Sequence, residues 1–249
     1  MKADFTLKPN GDAALDICFS APPSAALSET IMLLAQAIEA ASIPAVSELV
    51  PAYQCLTVCF DPLQLAPVGS HGTAHLRRQL AQLTERALSS SRTLPGERFL
   101  IRIPVCYEKD FAPDMSALRQ HTGLATEEII QRHTNRHYLV HMLGFTPGFL
   151  YLGGLDERLH CPRKSRPELR VPAGSVGIGG AQTGIYPQAT PGGWQIIGRT
   201  PLALFRPEKT FAFVARPLDY IQFVPISADV FARYVPGAEI ERTLIGEVP

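Results

Sequence analysis

The 249 residues carry 23 basic and 23 acidic side chains, and 46% of them are hydrophobic. A neutral chain has no excess positive field to hold phosphates, which argues against a nucleic-acid partner; the length allows one large domain or two ordinary ones. No window reads as an export signal or a membrane span, because the apolar run at 31–41 is short and contains Gln36 and Glu39.

The first elements follow from alternation and spacing. Residues 4–8 and 13–19 read as strands around the turn Asn10-Gly11-Asp12. A helix follows with Ser28 as its expected N-cap, Glu29 in its first turn and Ile31, Leu34, Ala35 and Ile38 on one stripe. Strands are expected at 46–51 and 54–60, the second alternating Cys55, Thr57 and Cys59 against Leu56, Val58 and Phe60. A second helix, about 73–89, carries Leu76, Leu80, Leu83 and Leu88. The order predicts a small α+β domain with an antiparallel sheet over 1–93. Ser89-Ser90-Ser91 and Pro95-Gly96-Glu97 read as the linker.

The second domain, 97–249, begins with a strand at 99–107 and two short helices, one at 113–121 stopped by Gly123 and one at 126–133 capped by Thr126 with Glu127 and Glu128 in its first turn. Strands are then expected at 138–145, 195–197, 203–205, 210–215 and 220–224, with a terminal helix at 228–234. Short strands between Gly/Pro turns suggest a barrel. Twelve of the nineteen glycines fall between Gly144 and Gly198. At that density, with prolines interleaved, the stretch reads as turns with exposed backbone N–H groups lining a binding site.

Several chemistries are excluded by spacing. Gly177-x-Gly179 has Gln182 where a dinucleotide fingerprint needs its third glycine, and no Gly-Lys-Ser/Thr follows a glycine cluster. The pairs His71/His75 and His137/His141 lack a third ligand at recognisable spacing, so no metal is expected. Ser175 lacks the Gly-x-Ser-x-Gly frame of a hydrolase elbow and reads as a turn residue. Cys18, Cys55, Cys59, Cys106 and Cys161 show no Cys-x-x-Cys spacing; they read as reduced, small buried hydrophobes of a cytoplasmic protein.

The positive signal is local charge. Between Gly144 and Thr200 there are six basic residues (Arg158, Arg163, Lys164, Arg166, Arg170, Arg199) and three acidic ones (Asp156, Glu157, Glu168). Arg163 and Arg199 adjoin prolines or a Thr-Pro step; their guanidinium forks suit a carboxylate or phosphate, or simply form a solvated rim. Gln182, Thr183 and Tyr186 are neutral groups that suit an amide, or tie turns. His133 closes a helix whose dipole favours its cation, and is either an acid–base group or a helix-ending residue. Trp194 reads as a core anchor.

The motifs Leu143-Gly144-Phe145-Thr146-Pro147-Gly148-Phe149, Tyr151-Leu152-Gly153-Gly154-Leu155, Pro162-Arg163, Val171-Pro172-Ala173-Gly174-Ser175-Val176-Gly177-Ile178, Gln182-Thr183-Gly184-Ile185-Tyr186-Pro187 and Pro191-Gly192-Gly193-Trp194-Gln195-Ile196-Ile197-Gly198-Arg199-Thr200 resemble the B-chain family of bacterial 5-oxoprolinase. That family includes proteins labelled sporulation-kinase inhibitor and allophanate hydrolase subunit 1. The resemblance implies a cyclophilin-like β-barrel after the α+β domain. It implies C and A subunits as partners and an ATP-dependent opening of the lactam 5-oxoproline to glutamate, with ATP used at the level of the complex and no biotin attached to this chain. It puts His133, Tyr138, Arg163, Gln182, Tyr186 and Arg199 at matching positions. His133, Gln182 and Tyr186 are then expected in catalysis, and Tyr138, Arg163, Gly174, Ser175, Thr183 and Arg199 in substrate binding. Inhibition of a sensor histidine kinase and half of a biotin-dependent urea or amide carboxyltransferase are the alternatives. Two departures stand out: Glu108–Met115 replaces a glycine-rich loop, and Leu150 stands where proline is common.

Overall fold

The computed structural model describes residues 4–65, 72–89, 94, 96–210, 212–235 and 240–248. The chain divides into two compact units, Met1–Gly96 with Val248–Pro249, and Glu97–Glu247. Most of the linker stretch and His71 lie outside the described residues. Among the described residues no helix is long and apolar enough to cross a membrane.

The first unit contains β1 (Phe5–Pro9), β2 (Ala14–Phe19), α1 (Ala25–Ala40), β3 (Val46–Pro51), β4 (Cys55–Phe60), the short α2 (Pro62–Leu65) and α3 (Gly72–Ser89). Its antiparallel sheet has the order β1-β2-β4-β3. Strict alternation puts Leu15, Ile17, Phe19, Leu56, Val58 and Phe60 on the buried face, against Ile31, Leu34 and Ile38 of α1 and Leu76 and Leu80 of α3. Burial of each large aliphatic side chain contributes about 1.5–3 kcal/mol relative to exposure. The helix starts earlier than its spacing suggested. Ser24 is the N-cap, accepting the Leu27 N–H at 3.2 Å, because the apolar stripe extends back to Leu27; Ser28 is a buried residue inside the helix.

The second unit contains β5 (Gly96–Cys106), α4 (Met115–Thr122), α5 (Thr126–Thr134), β6 (Tyr138–Leu143), β7 (Leu150–Gly153), β8 (Glu168–Val171), β9 (Ser175–Gly179), β10 (Gln182–Ile185), β11 (Thr190–Gly192), β12 (Gln195–Arg199), β13 (Tyr220–Ile226), α6 (Ala228–Ala232) and β14 (Arg242–Val248). Seven strands form a closed ring in the order β12-β9-β10-β7-β6-β13-β5, shut by the Arg199–Cys106 pairing. β13 runs parallel to β5, while β8 and β11 form a separate ribbon. Ala125, not Thr126, is the cap residue of α5, and no side chain bonds there; Glu127 and Glu128 supply the favoured negative charge instead. The segments at 203–205 and 210–215, expected as strands, pair as an isolated Phe205–Phe213 bridge, with Val214 donating to the Leu204 carbonyl at 3.2 Å and Arg206 to that of Ala212 at 2.7 Å.

The glycine-rich stretch is divided between turns and short strands: the turns expected from its composition occur, with positive φ at Gly148, Gly154, Gly174 and Gly180, but strands also lie in it. β7, β9, β10 and β12 all lie in it. Gly177, Gly179 and Gly184 in these strands pack against the indole of Trp194, which is buried as expected. A Cβ at Gly179 would lie 2.5 Å from the Trp194 ring, and one at Gly184 would lie 2.8 Å from the Leu150 carbonyl oxygen. Glycine there is the absence of a side chain beside an aromatic one.

Candidate functional site

Two polar assemblies stand out in the barrel unit, one sealed and one open. The sealed one centres on His133, which α5 sends among β6, β10 and β13. It is fully buried and stacks on Phe223 with ring centroids 4.4 Å apart. Its Nδ1 lies 2.8 Å from the Tyr107 hydroxyl and its Nε2 2.9 Å from Thr183 Oγ1. Thr183 already donates its hydroxyl hydrogen to the Gly177 carbonyl at 3.0 Å. Nε2 must therefore carry the ring proton and donate to Thr183, and Nδ1 accepts from Tyr107. Tyr138 is buried beside it and donates to the His133 carbonyl at 2.8 Å. Desolvation pushes the His133 pKa down to about 3. This overturns the expectation of a cation at the helix end: the dipole favours charge weakly, and complete burial opposes it strongly.

The open assembly is a cleft of about 290 Å³. Asp110, Phe111, Pro113 and Asp114 line it from the segment after β5; Lys164, Glu168, Arg170, Val171 and Pro172 from β8 and the residues on either side of it; Ser175 opens β9, and Ile196 and Arg199 belong to β12. Its wall is tied by Asp114. Although Asp114 occupies the N-cap position of α4, it makes no side-chain cap bond there. Its Oδ2 accepts the Ile196 N–H at 2.7 Å and meets Lys164 Nζ at 2.7 Å. Lys164 also pairs with Glu168 at 3.2 Å. These carboxylates hold Lys164, so the cations left for a ligand are Arg170 and Arg199. The Arg199 Nε donates to the Ala173 carbonyl at 2.9 Å, and its terminal nitrogens have no partner among the described residues. The Ser175 hydroxyl likewise makes no hydrogen bond among the described residues, although the residue is buried.

Replacing Asp114 by Ala is expected to destabilise the barrel unit by about 1.5–3 kcal/mol, the range for losing hydrogen bonds to a charged group. Lys164→Ala should cost less, because Asp114 keeps the Ile196 N–H. Urea unfolding followed by Trp194 fluorescence measures both; equal costs would mean that the loop is not held through Asp114.

The expected site residues separate into groups. Ser175 and Arg199 line the cleft, and Gly174 shapes the turn between them. Backbone N–H groups of that turn are not offered outward as expected: Gly174 donates to the Tyr186 carbonyl at 2.7 Å, Ser175 to Pro172 at 3.3 Å and Thr200 to Gly174 at 2.9 Å. His133, Tyr138 and Thr183 lie in the sealed core, away from the cleft lining. Tyr186 packs with Phe149 and Trp194, and exposed Arg163 sits over the Trp194 ring at 5.8 Å. Gln182 begins β10, and neither it nor Arg163 lines the cleft. His137 lies outside β6 and His141 is buried within it, so the two share no strand face.

Sequence reasoning counted Lys164 and Arg170 among the basic residues, but it did not link Asp114 to Lys164 or include Phe111. The Pro113-Asp114 step in the altered loop was the available signal.

A family model for the carboxyltransferase domain, subdomains C and D, matches residues 5–215. The chain is 38% identical over 235 residues to the 5-oxoprolinase B chain of Bacillus subtilis, covering 94% of this chain and 98% of that protein. It is 40% identical over 216 residues to the 5-oxoprolinase B chain of Escherichia coli O157:H7, covering 86% and 93%. The structure of the Kluyveromyces lactis urea carboxylase matches 98% of this chain with a TM-score of 0.79 at 16% identity, a likeness of fold alone; the match spans 24% of that longer chain.

Proposed function

Because the chain belongs to the 5-oxoprolinase B-chain family, we propose that it supplies part of the substrate site of an ATP-dependent 5-oxoprolinase, acting with A and C subunits to open 5-oxoproline to glutamate. The observation that carries this reading is the cleft in which Arg199 and Ser175 both keep free hydrogen-bonding capacity. A lactam is resonance-stabilised, and its hydrolysis needs the carbonyl oxygen activated, which phosphorylation from ATP in the complex would do. The Arg199 guanidinium holds the substrate carboxylate or the phosphate, with Arg170 as the second cation. The Ser175 hydroxyl orients the ring amide. His133 acts in this scheme as the neutral core of the barrel and carries no proton to substrate.

With A and C subunits co-purified, Arg199→Ala should lower kcat/KM for 5-oxoproline-dependent ATP hydrolysis roughly tenfold to a hundredfold, the equivalent of about 1.5–3 kcal/mol for a charged hydrogen bond. Arg199→Lys should recover part of it. Full activity in a complex lacking this chain would overturn the proposal. The carboxyltransferase name of the matching family model favours a second reading, half of a biotin-dependent carboxyltransferase acting on a urea-like amide. In that case ATP turnover would require bicarbonate and a separate biotinylated carrier, and 5-oxoproline would not stimulate it.

A further inference from the structure

Three of the five cysteines, Cys18, Cys55 and Cys59, lie half-buried on the outer face of the N-terminal sheet and not in its core, whereas Cys106 and Cys161 are buried as expected. Cys18 and Cys55 are direct partners across β2 and β4. The Phe19 N–H bonds to the Gln54 carbonyl at 2.8 Å, and the Phe60 N–H to the Ala13 carbonyl at 2.8 Å. The alternation of an antiparallel ladder then makes Cys18 and Cys55 a non-hydrogen-bonded pair, the kind that brings side chains closest. Their sulfurs lie 3.6 Å apart. Asp16, two residues before Cys18, points to the same face. One ligand atom from each of the three lies within 4.8 Å of the others.

We propose that Asp16, Cys18 and Cys55 form a binding site for a soft divalent cation of the zinc type. Two thiolates bound tetrahedrally at about 2.3 Å from zinc stand about 3.8 Å apart, close to the spacing already present. The carboxylate is pre-oriented: Thr57 donates to Asp16 Oδ1 at 2.7 Å and Asn10 at 3.2 Å, which leaves Oδ2 for the ion. Two sulfurs and one oxygen select zinc or cadmium over magnesium or calcium. Binding breaks two S–H bonds, forms two metal–sulfur bonds and releases two protons to solvent, with no change of oxidation state. Three protein ligands leave the fourth position to water or a small ligand. The site belongs to the first unit and does not depend on the 5-oxoprolinase reading.

The full chain, kept reduced by a phosphine, is titrated with cadmium and followed by the thiolate-to-cadmium charge-transfer band. The expected result is saturation at about one ion per chain, competition by zinc and none by magnesium. Cys18→Ser and Cys55→Ser should each abolish the band, and Asp16→Asn should weaken binding at least tenfold, taking the usual cost of a disturbed ligand shell as a guide. Cys59→Ser, a change on the same face outside the group, should leave it intact. In the unmutated chain zinc should protect Cys18 and Cys55, but not Cys59, from alkylation, read by peptide mass. This second readout does not depend on any variant folding. No saturable band, a band that survives both serine changes, or alkylation unaffected by zinc would overturn the proposal.

Discussion

Lowering the pH from 7 is expected to weaken the barrel unit by about 2 kcal/mol at pH 5 and about 3 kcal/mol at pH 4 through His133 alone, taking an unfolded pKa near 6.5. Its folded pKa is held down to about 3 by burial. Between those two values the unfolded chain binds a proton that the folded chain refuses, so stability rises with pH in that window and is lost as pH falls through it. The comparison chain is His133→Gln, which does not titrate. Gln leaves the Tyr107 and Thr183 hydroxyls imperfectly matched, so this variant should be less stable at pH 7. Its stability should nevertheless fall less steeply with acid. His141, also shifted down by burial, and the carboxylates contribute to both chains, so the difference in slope isolates His133. Urea midpoints read through Trp194, the one tryptophan, give the measurement. Parallel slopes for the two chains would show that His133 is not a sealed neutral residue.

The second large effect is expected at Gly174. Its φ of +81° lies in the region that a side chain strains, at roughly 1–2 kcal/mol. A Cβ there would also collide with the Thr200 carbonyl oxygen, a backbone atom that has no rotamer to escape into. Thr200 in turn donates to the Gly174 carbonyl, so the two segments cannot separate without breaking that bond. Gly174→Ala should therefore destabilise by at least about 3 kcal/mol, strain and overpacking together. Gly180→Ala provides the control. Its φ is +66° with nothing within 4 Å of a Cβ, so it should show the conformational cost only. Equal losses at both glycines in urea unfolding would remove the claimed clash. Under the proposed function, folded Gly174→Ala protein should also bind 5-oxoproline less well in the assembled complex, since Thr200 follows Arg199.

The first unit was largely legible because its signals are local. Alternation in Ala14–Phe19 and Cys55–Phe60, and stripes in the helices, fall within single windows. The helix start was misplaced because two serines precede the stripe and only packing of Leu27 decides between them. The barrel hid β7, β9 and β10 because glycine interrupts their alternation on the face away from the barrel core: Gly177, Gly179 and Gly184 lie against Trp194 and Gly153 against His141, contacts that no single window shows. Ser175 and Arg199 were visible through their motifs. The Asp114–Lys164 tie joins segments 50 positions apart and leaves no short-range mark. His133 shows the same limit: its place at a helix end is local, but its burial is a property of the closed ring.

The parallel pairing of β5 with β13 has a consequence for biogenesis. Phe99 and Asp219, joined by a 2.9 Å bond at that seam, are 120 positions apart. As the chain leaves the ribosome, β5 waits with both edges unpaired until β12, β13 and β14 have been made. Contacts so distant along the chain close slowly, and a waiting hydrophobic edge invites association with other nascent chains. Synthesis rate and chaperone supply should govern the yield of this protein more strongly than its final stability does.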